Sequence, residues 1–132
     1  MVGIVVVTHG NLGPELVDVS RLVLGPLEQV VGIGLLPHES EDIMSEKIQD
    51  AIRRVDTGEG VLVLVDMFGG TPSNLSLRLM TAGRIEVLTG VNLPMLLKVG
   101  NSRQQGLLEL ARAVREAGTR NIILASEFLT NR

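Results

Sequence analysis

The 132-residue chain has no cysteine, tryptophan or tyrosine, and only two phenylalanines and two histidines. Without cysteine there are no disulfides, no thiolate nucleophile and no cysteine-ligated zinc. With His9 and His38 alone, a multi-histidine metal centre is hard to assemble, so neither a metal nor another cofactor is expected. Two rings, Phe68 and Phe128, are too few for a base-stacking platform or a ring-lined carbohydrate cleft. A net charge of −3 makes nucleic acid a poor partner. No apolar run approaches the length of a membrane span, and no basic segment precedes the apolar start at Met1, so insertion into a membrane and a secretory signal are not expected. The expected compartment is the cytoplasm. What is present is ordinary globular material, 45% hydrophobic and 20% charged, enough for one domain over residues 1–132 with a sizeable core.

Apolar runs alternate with helix-spaced segments. Residues 3–8 form a short β-branched run that reads as a parallel strand buried on both faces. Leu12, Leu16, Val19 and Val23 repeat at helical spacing, with Pro14 in the first turn and Gly25-Pro26 as the stop. Residues 29–36 read as a second strand, weakened by its glycines. Ser40 caps a helix that carries Met44, Ile48, Ala51, Ile52 and Val55 on one stripe. Residues 60–65 are the third and most apolar strand, and Thr71 followed by Pro72 reads as an N-cap and first helical residue. The expected helix is closed by Gly83, and Ile85 to Leu88 is a fourth strand. Asn92-Leu-Pro94 opens a short helix, Gln104 to Ala117 a last one ended by Gly118, and Ile122 to Ala125 reads as a fifth strand. The pattern predicts an α/β fold with an open, doubly wound, mostly parallel sheet.

In such sheets ligands bind outside the carboxyl ends of the strands. The first strand ends at His9, the third at Asp66, 57 residues on, and the fourth at Thr89 to Asn92. A carboxylate on Nδ1–H would fix the histidine tautomer and leave Nε2 as nucleophile or base. Asp66 is the one carboxylate placed on this rim; its other reading is a cap on the turn before the helix. Gly69 and Gly70, followed by a helix start at Thr71, offer backbone N–H groups, a positive dipole end and a hydroxyl, together an anion site. An oriented imidazole beside an anion site is what a transient phosphohistidine needs. Met67 and Phe68 lie in the same loop, either as a docking surface or buried beneath it. His38, in an acidic loop, reads as a solvated residue. Ser73 and Ser76 raise a Ser-His-Asp hydrolase, but there is no Gly-x-Ser-x-Gly elbow, and neither a phosphate-binding Walker pattern nor a dinucleotide glycine pattern occurs.

Val6-Val7-Thr8-His9-Gly10, the run Asp66 to Asn74, and Thr89-Gly90-Val91-Asn92-Leu93-Pro94-Met95-Leu96 resemble, in the same order, the enzyme IIA domain of the mannose family of the bacterial sugar phosphotransferase system. The resemblance covers essentially the whole chain. It implies a phosphocarrier in which His9 takes a phosphoryl group from the protein HPr and passes it to a IIB protein. Asp66 then orients the ring and Thr71 lies near the phosphoryl group. It also implies a homodimer whose last strand, here Asn121 to Ser126, is exchanged between subunits as a final antiparallel strand. Membrane IIC and IID components are implied as associates. Ser73 stands where relatives often carry a bulky residue, and the chain stops at Arg132 without a linker and IIB domain. A phosphorylation-state sensor without a sugar permease is the alternative within the same chemistry. A hydrolase or isomerase using His9 as base lacks a clear nucleophile.

Overall fold

The run Gly3–His9 becomes β1, whose first six residues are buried and whose last, His9, emerges into solvent. The computed structural model describes residues 1–130; Asn131 and Arg132, where the expected chain end falls, lie outside the described residues. After β1 come α1 (Leu12–Leu24), β2 (Val30–Leu35), α2 (Glu41–Val55), β3 (Val61–Val65), α3 (Thr71–Arg78), β4 (Ile85–Thr89), α4 (Leu93–Gly100), α5 (Leu107–Arg120) and α6 (Ala125–Thr130). The four strands are all parallel, in the order β2-β1-β3-β4.

Alternation along the strands divides the core in two. Ile4, Val6, Leu62 and Leu64 face Val17 of α1, Leu96 of α4 and Leu110 of α5. Val5, Val7, Val63 and Val65 face Ile48 of α2 and Leu75 of α3. A sheet covered on both sides needs apolar residues at every position, which is why β1 and β3 show no polar alternation. Each fully buried valine or leucine contributes about 1.5–3 kcal/mol.

Chain order reverses between β1 and β3. The chain leaves β1 for β2 on one side and returns past it to β3 on the other. That is the switch point at which doubly wound sheets open a crevice beyond their strand ends. His9 ends β1, and Asp66 directly follows the last residue of β3, the two strands that flank it.

The glycines of β2 are seats rather than weaknesses. Gly32 pairs with Val6 and Gly34 with Thr8, on the α1 side of the sheet. A Cβ at Gly32 would lie 2.6 Å from the Gly13 carbonyl oxygen, and one at Gly34 would overlap the Gly10 carbonyl oxygen. The start of α1 therefore rests directly on strand backbone, which only residues without side chains permit.

Several expectations are corrected. Thr71 is the first residue of α3 and not its cap; Gly70 caps it at φ 88° and ψ 172°, a conformation suited to glycine. The last long helix runs three residues further than expected, because Gly118 is a packing residue. A Cβ there would come within 2.5 Å of Met95 Cγ. The helix after Asp66 ends at Arg78, and Gly83, at φ 78°, serves the turn into β4.

The fifth, antiparallel strand expected at residues 121–126 is not formed. Residues 125–130 coil into α6, and Ile122, Ile123, Leu124, Phe128 and Leu129 are all exposed. A strand exists only by pairing along a sheet edge. This segment does not return to β4 of its own chain, and its backbone satisfies itself in part as a helical turn.

Candidate functional site

The site is built from three strand ends. β1 delivers His9, β3 leads into Asp66, and the segment after β4 braces the end of β3. His9 donates its backbone N–H to Asp66 Oδ2 at 2.9 Å, and its ring Nδ1 lies 2.8 Å from the same oxygen. The other carboxylate oxygen, Oδ1, accepts the backbone N–H of Met67 at 3.0 Å. One aspartate thus holds the imidazole and ties its own loop. The two readings of Asp66, ring partner and turn cap, are both realised geometrically. With Nδ1 against a carboxylate, the ring carries its proton there and leaves the Nε2 lone pair outward.

Asp66 is largely covered, with 12% of its side chain exposed, whereas the His9 ring is 55% exposed. Burial pushes the Asp66 carboxyl up. The hydrogen bonds from the His9 backbone and ring, with the attraction of that ring, outweigh it and hold the carboxyl below its ordinary 3.8. A carboxyl depressed in the folded state stabilises the protein above its unfolded pKa and ceases to as pH falls through the folded value. The stability difference between wild type and Asp66→Asn should therefore be fully present above about pH 5 and shrink progressively below about pH 4. Urea midpoints measured across that range check this; a difference independent of pH would refute it.

Nε2 looks toward the glycine loop. A Cβ at Gly70 would sit 3.3 Å from both Nε2 and Cε1 of His9. Gly69 and Gly70 both take positive φ, 94° and 88°. Asn74 N–H closes the first turn of α3 on the Gly70 carbonyl, while no acceptor among the described residues is bonded by the N–H groups of Gly69, Gly70, Thr71 or Ser73. These unbonded donors, at the positive end of a helix that Gly70 caps beside the His9 ring, are the kind of groups an anion accepts from. Thr71 is half-buried at the same helix start.

The third motif works from behind. Gly90 turns the chain at φ 80°, and Val91 N–H donates to the carbonyl of Val65, the residue before Asp66, at 2.9 Å. Asn92 Oδ1 caps α4 by accepting Met95 N–H at 3.1 Å, and its Nδ2 donates to the Gly118 carbonyl at 3.3 Å. The segment pins the end of β3 to α4 and α5 and so fixes where Asp66 stands.

Met67 and Phe68 are exposed by 53% and 75%, so the structure does not bury them under the loop. His38 is exposed, next to Glu39, whose carboxylate accepts Leu36 N–H and pairs with Lys47. Ser73 and Ser76 are fully buried with no hydrogen-bond partner among the described residues, so neither engages His9 as a triad nucleophile would. Sequence reasoning passed over Thr8 and the Gly32–Gly34 seat. Their signal was there: a hydroxyl closing an apolar run, and two glycines two residues apart on one strand face.

The chain matches the family model described as "PTS system fructose IIA component" over residues 3–115. It belongs to this family of phosphotransferase-system IIA components. It is 37% identical over 98 residues to the "PTS system mannose-specific EIIAB component" of Escherichia coli strain K12, covering 74% of this chain and 30% of that protein. The chain thus spans about a third of the length of that relative. It is 28% identical over 131 residues to the "PTS system fructose-specific EIIA component" of Bacillus subtilis, covering 98% of this chain and 90% of the other. Among solved structures, the phosphotransferase system component EIIA from Streptococcus agalactiae superposes with a TM-score of 0.86 at 31% identity, over 96% of this chain and 99% of that one. The IIA component is thus a sugar-phosphotransferase-system protein of the mannose type. Among its described residues no helix is long and apolar enough to cross a membrane, and no group of three or more metal-ligating side chains is found.

Proposed function

We propose that this IIA component is a phosphocarrier in which His9 accepts a phosphoryl group from HPr and passes it to a IIB protein. The observation that carries the reading is the division of labour on one ring, Nδ1 held by Asp66 and Nε2 exposed beside the Gly69–Thr71 cradle. In the transfer the Nε2 lone pair forms a bond to phosphorus as the donor's phosphohistidine N–P bond breaks. The departing ring nitrogen keeps that electron pair. Nδ1–H stays on Asp66, whose charge stabilises the cationic phosphorylated ring, and the N–H groups of Gly69, Gly70 and Thr71 hold the phosphoryl oxygens. Returning the group to IIB is the same step reversed.

An open rim suits this exchange, since donor and acceptor are proteins that must bring their own reactive groups to the ring. Met67 and Phe68, exposed beside it, are the apolar contact we assign to such partners. Phosphorylated HPr should label one acid-labile, base-stable site, lost in His9→Ala and kept in His38→Ala. Labelling that survives His9→Ala would overturn the reading.

The same reading extends to assembly and to the cytoplasm, where the IIA component would meet membrane IIC and IID components. Beyond the Thr81–Ile85 bridge at its start, the outer edge of β4 is unpaired among the described residues. A groove of about 240 Å³ runs between it and α5, lined by Glu86, Val87, Leu88, Leu108, Ala111, Arg112 and Arg115. Residues 122–124 from a second copy would pair with that edge and bury the apolar side chains left exposed at the end of the chain. Sedimentation should show a dimer that Ile122→Asp with Leu124→Asp converts to monomer; a wild type that is monomeric at high concentration would refute the exchange.

A further inference from the structure

The turn that presents His9 is closed by a side chain that the chemistry of the ring does not use. Thr8 is fully buried, a polar residue inside an otherwise apolar strand. Its Oγ1 accepts the backbone N–H of Gly13 at 2.6 Å and lies 3.4 Å from the Gly10 carbonyl, to which it donates. Asn11, the N-cap residue of α1, makes no side-chain cap. Thr8 therefore caps the helix from the strand, reaching across the residues that follow it. Pro14, next in the first turn, has no N–H to satisfy.

This closure acts on His9 directly. The chain from Thr8 to Gly13 is stapled at both ends by one hydroxyl, and His9 is the second residue of that span. Its backbone N–H is bound to Asp66, and the next N–H, of Gly10, donates to the Leu35 carbonyl at 2.9 Å. Beneath, Gly13 has no room to shift: a Cβ there would lie 2.9 Å from the Val6 carbonyl and 3.1 Å from Thr8 Oγ1. The direction of Nε2 follows from the position of the His9 backbone. Loss of the Thr8 hydroxyl would leave a buried N–H without a partner and free the turn to move.

We propose that Thr8 is a positioning residue for His9, its hydroxyl closing the turn so that Nδ1 rests on Asp66 while Nε2 faces Gly70. The kinetic side of this rests on the phosphocarrier reading; the state of the ring does not. The test compares Thr8→Val, which keeps the shape and removes the hydroxyl, with Thr8→Ser, which keeps the hydroxyl. The full chain is used, with phosphorylated HPr as donor and ¹⁵N spectra of the His9 ring.

Thr8→Val should keep the wild-type circular dichroism and a donor KM within about twofold. Its transfer rate should fall roughly tenfold to a hundredfold. Its ring spectrum should change from a single Nδ1–H form to a mixture. Thr8→Ser should restore both. If Thr8→Val does not fold, Thr8→Cys replaces it, since a thiol is a weak acceptor. A folded Thr8→Val with wild-type rate and ring spectrum overturns the proposal, as does a Thr8→Ser as impaired as Thr8→Val. If the wild type itself takes no phosphoryl group, the phosphocarrier reading fails. The ring spectra then decide Thr8 alone: a mixed ring in Thr8→Val upholds the positioning role and an unchanged ring refutes it.

Discussion

Gly70→Ala is expected to lower the rate of His9 phosphorylation by roughly 10²–10³-fold while leaving the sheet folded. Two independent effects act at this position. The first is conformational: φ 88° with ψ 172° is a region that residues with a Cβ scarcely enter, at a cost of about 1–3 kcal/mol. Relief of that strain would swing the peptide groups of Gly69 and Gly70 away from the ring, and with them the cradle proposed for the phosphoryl group. The second is steric. The added methyl would stand 3.3 Å from Nε2, in the space that a phosphorus atom would cross in the proposed transfer. Single-turnover transfer from phosphorylated HPr measures the rate, and urea unfolding measures the strain. Gly69→Ala separates the two effects, because a Cβ at Gly69 meets nothing within 4 Å although its φ is also positive. Transfer by Gly70→Ala at the wild-type rate would remove the loop from the mechanism.

Asp66→Asn is expected to retain the fold and to lose roughly 10²–10⁴ in transfer rate. The loss follows from the hydrogen-bond pattern. Oδ2 accepts both the backbone and the ring N–H of His9, and Oδ1 accepts Met67 N–H. A carboxylate accepts at both oxygens, an amide at one. If the asparagine oxygen faces His9, its NH₂ meets Met67 N–H, donor against donor. If the NH₂ faces His9, it requires an unprotonated Nδ1, which moves the ring proton to Nε2 and blocks the nucleophile. Either way the negative charge that, in the proposed carrier, would stabilise a phosphorylated ring is gone. The ring ¹⁵N spectrum reports which arrangement is taken, and a variant that transfers at the wild-type rate would deny Asp66 its role.

Much of this candidate site is legible in the sequence alone. A β-branched run that stops at a histidine, another that stops at an aspartate, and a Gly-Gly before a helix each carry a local physical meaning. The parallel order brings these strand ends to one rim. Less legible were features whose meaning depends on what lies across the sheet. Gly32 and Gly34 read as weak points in a strand, because nothing nearby in sequence says that α1 will rest on them. Thr8 read as part of an apolar run, because its partner is the N–H of a residue five positions on, across a turn. Gly118 read as a helix end, because Met95, which it accommodates, is remote in the chain.

The final segment shows the boundary most clearly. Residues 122–125 have the composition of a strand, but composition states only a preference for a pleated, half-buried surface. Whether that preference is realised depends on an edge to pair with, and the single chain directs none toward it. By itself the sequence determined the periodicities, the strand ends and the kinds of groups that could share a rim, since these follow from local sterics and burial. Only the tertiary structure decided that one Asp66 oxygen holds both the His9 backbone and its ring, that Gly70 borders Nε2, and that Thr8 closes the turn between them. Those are distances between residues far apart in the chain or across a turn, and only packing sets them.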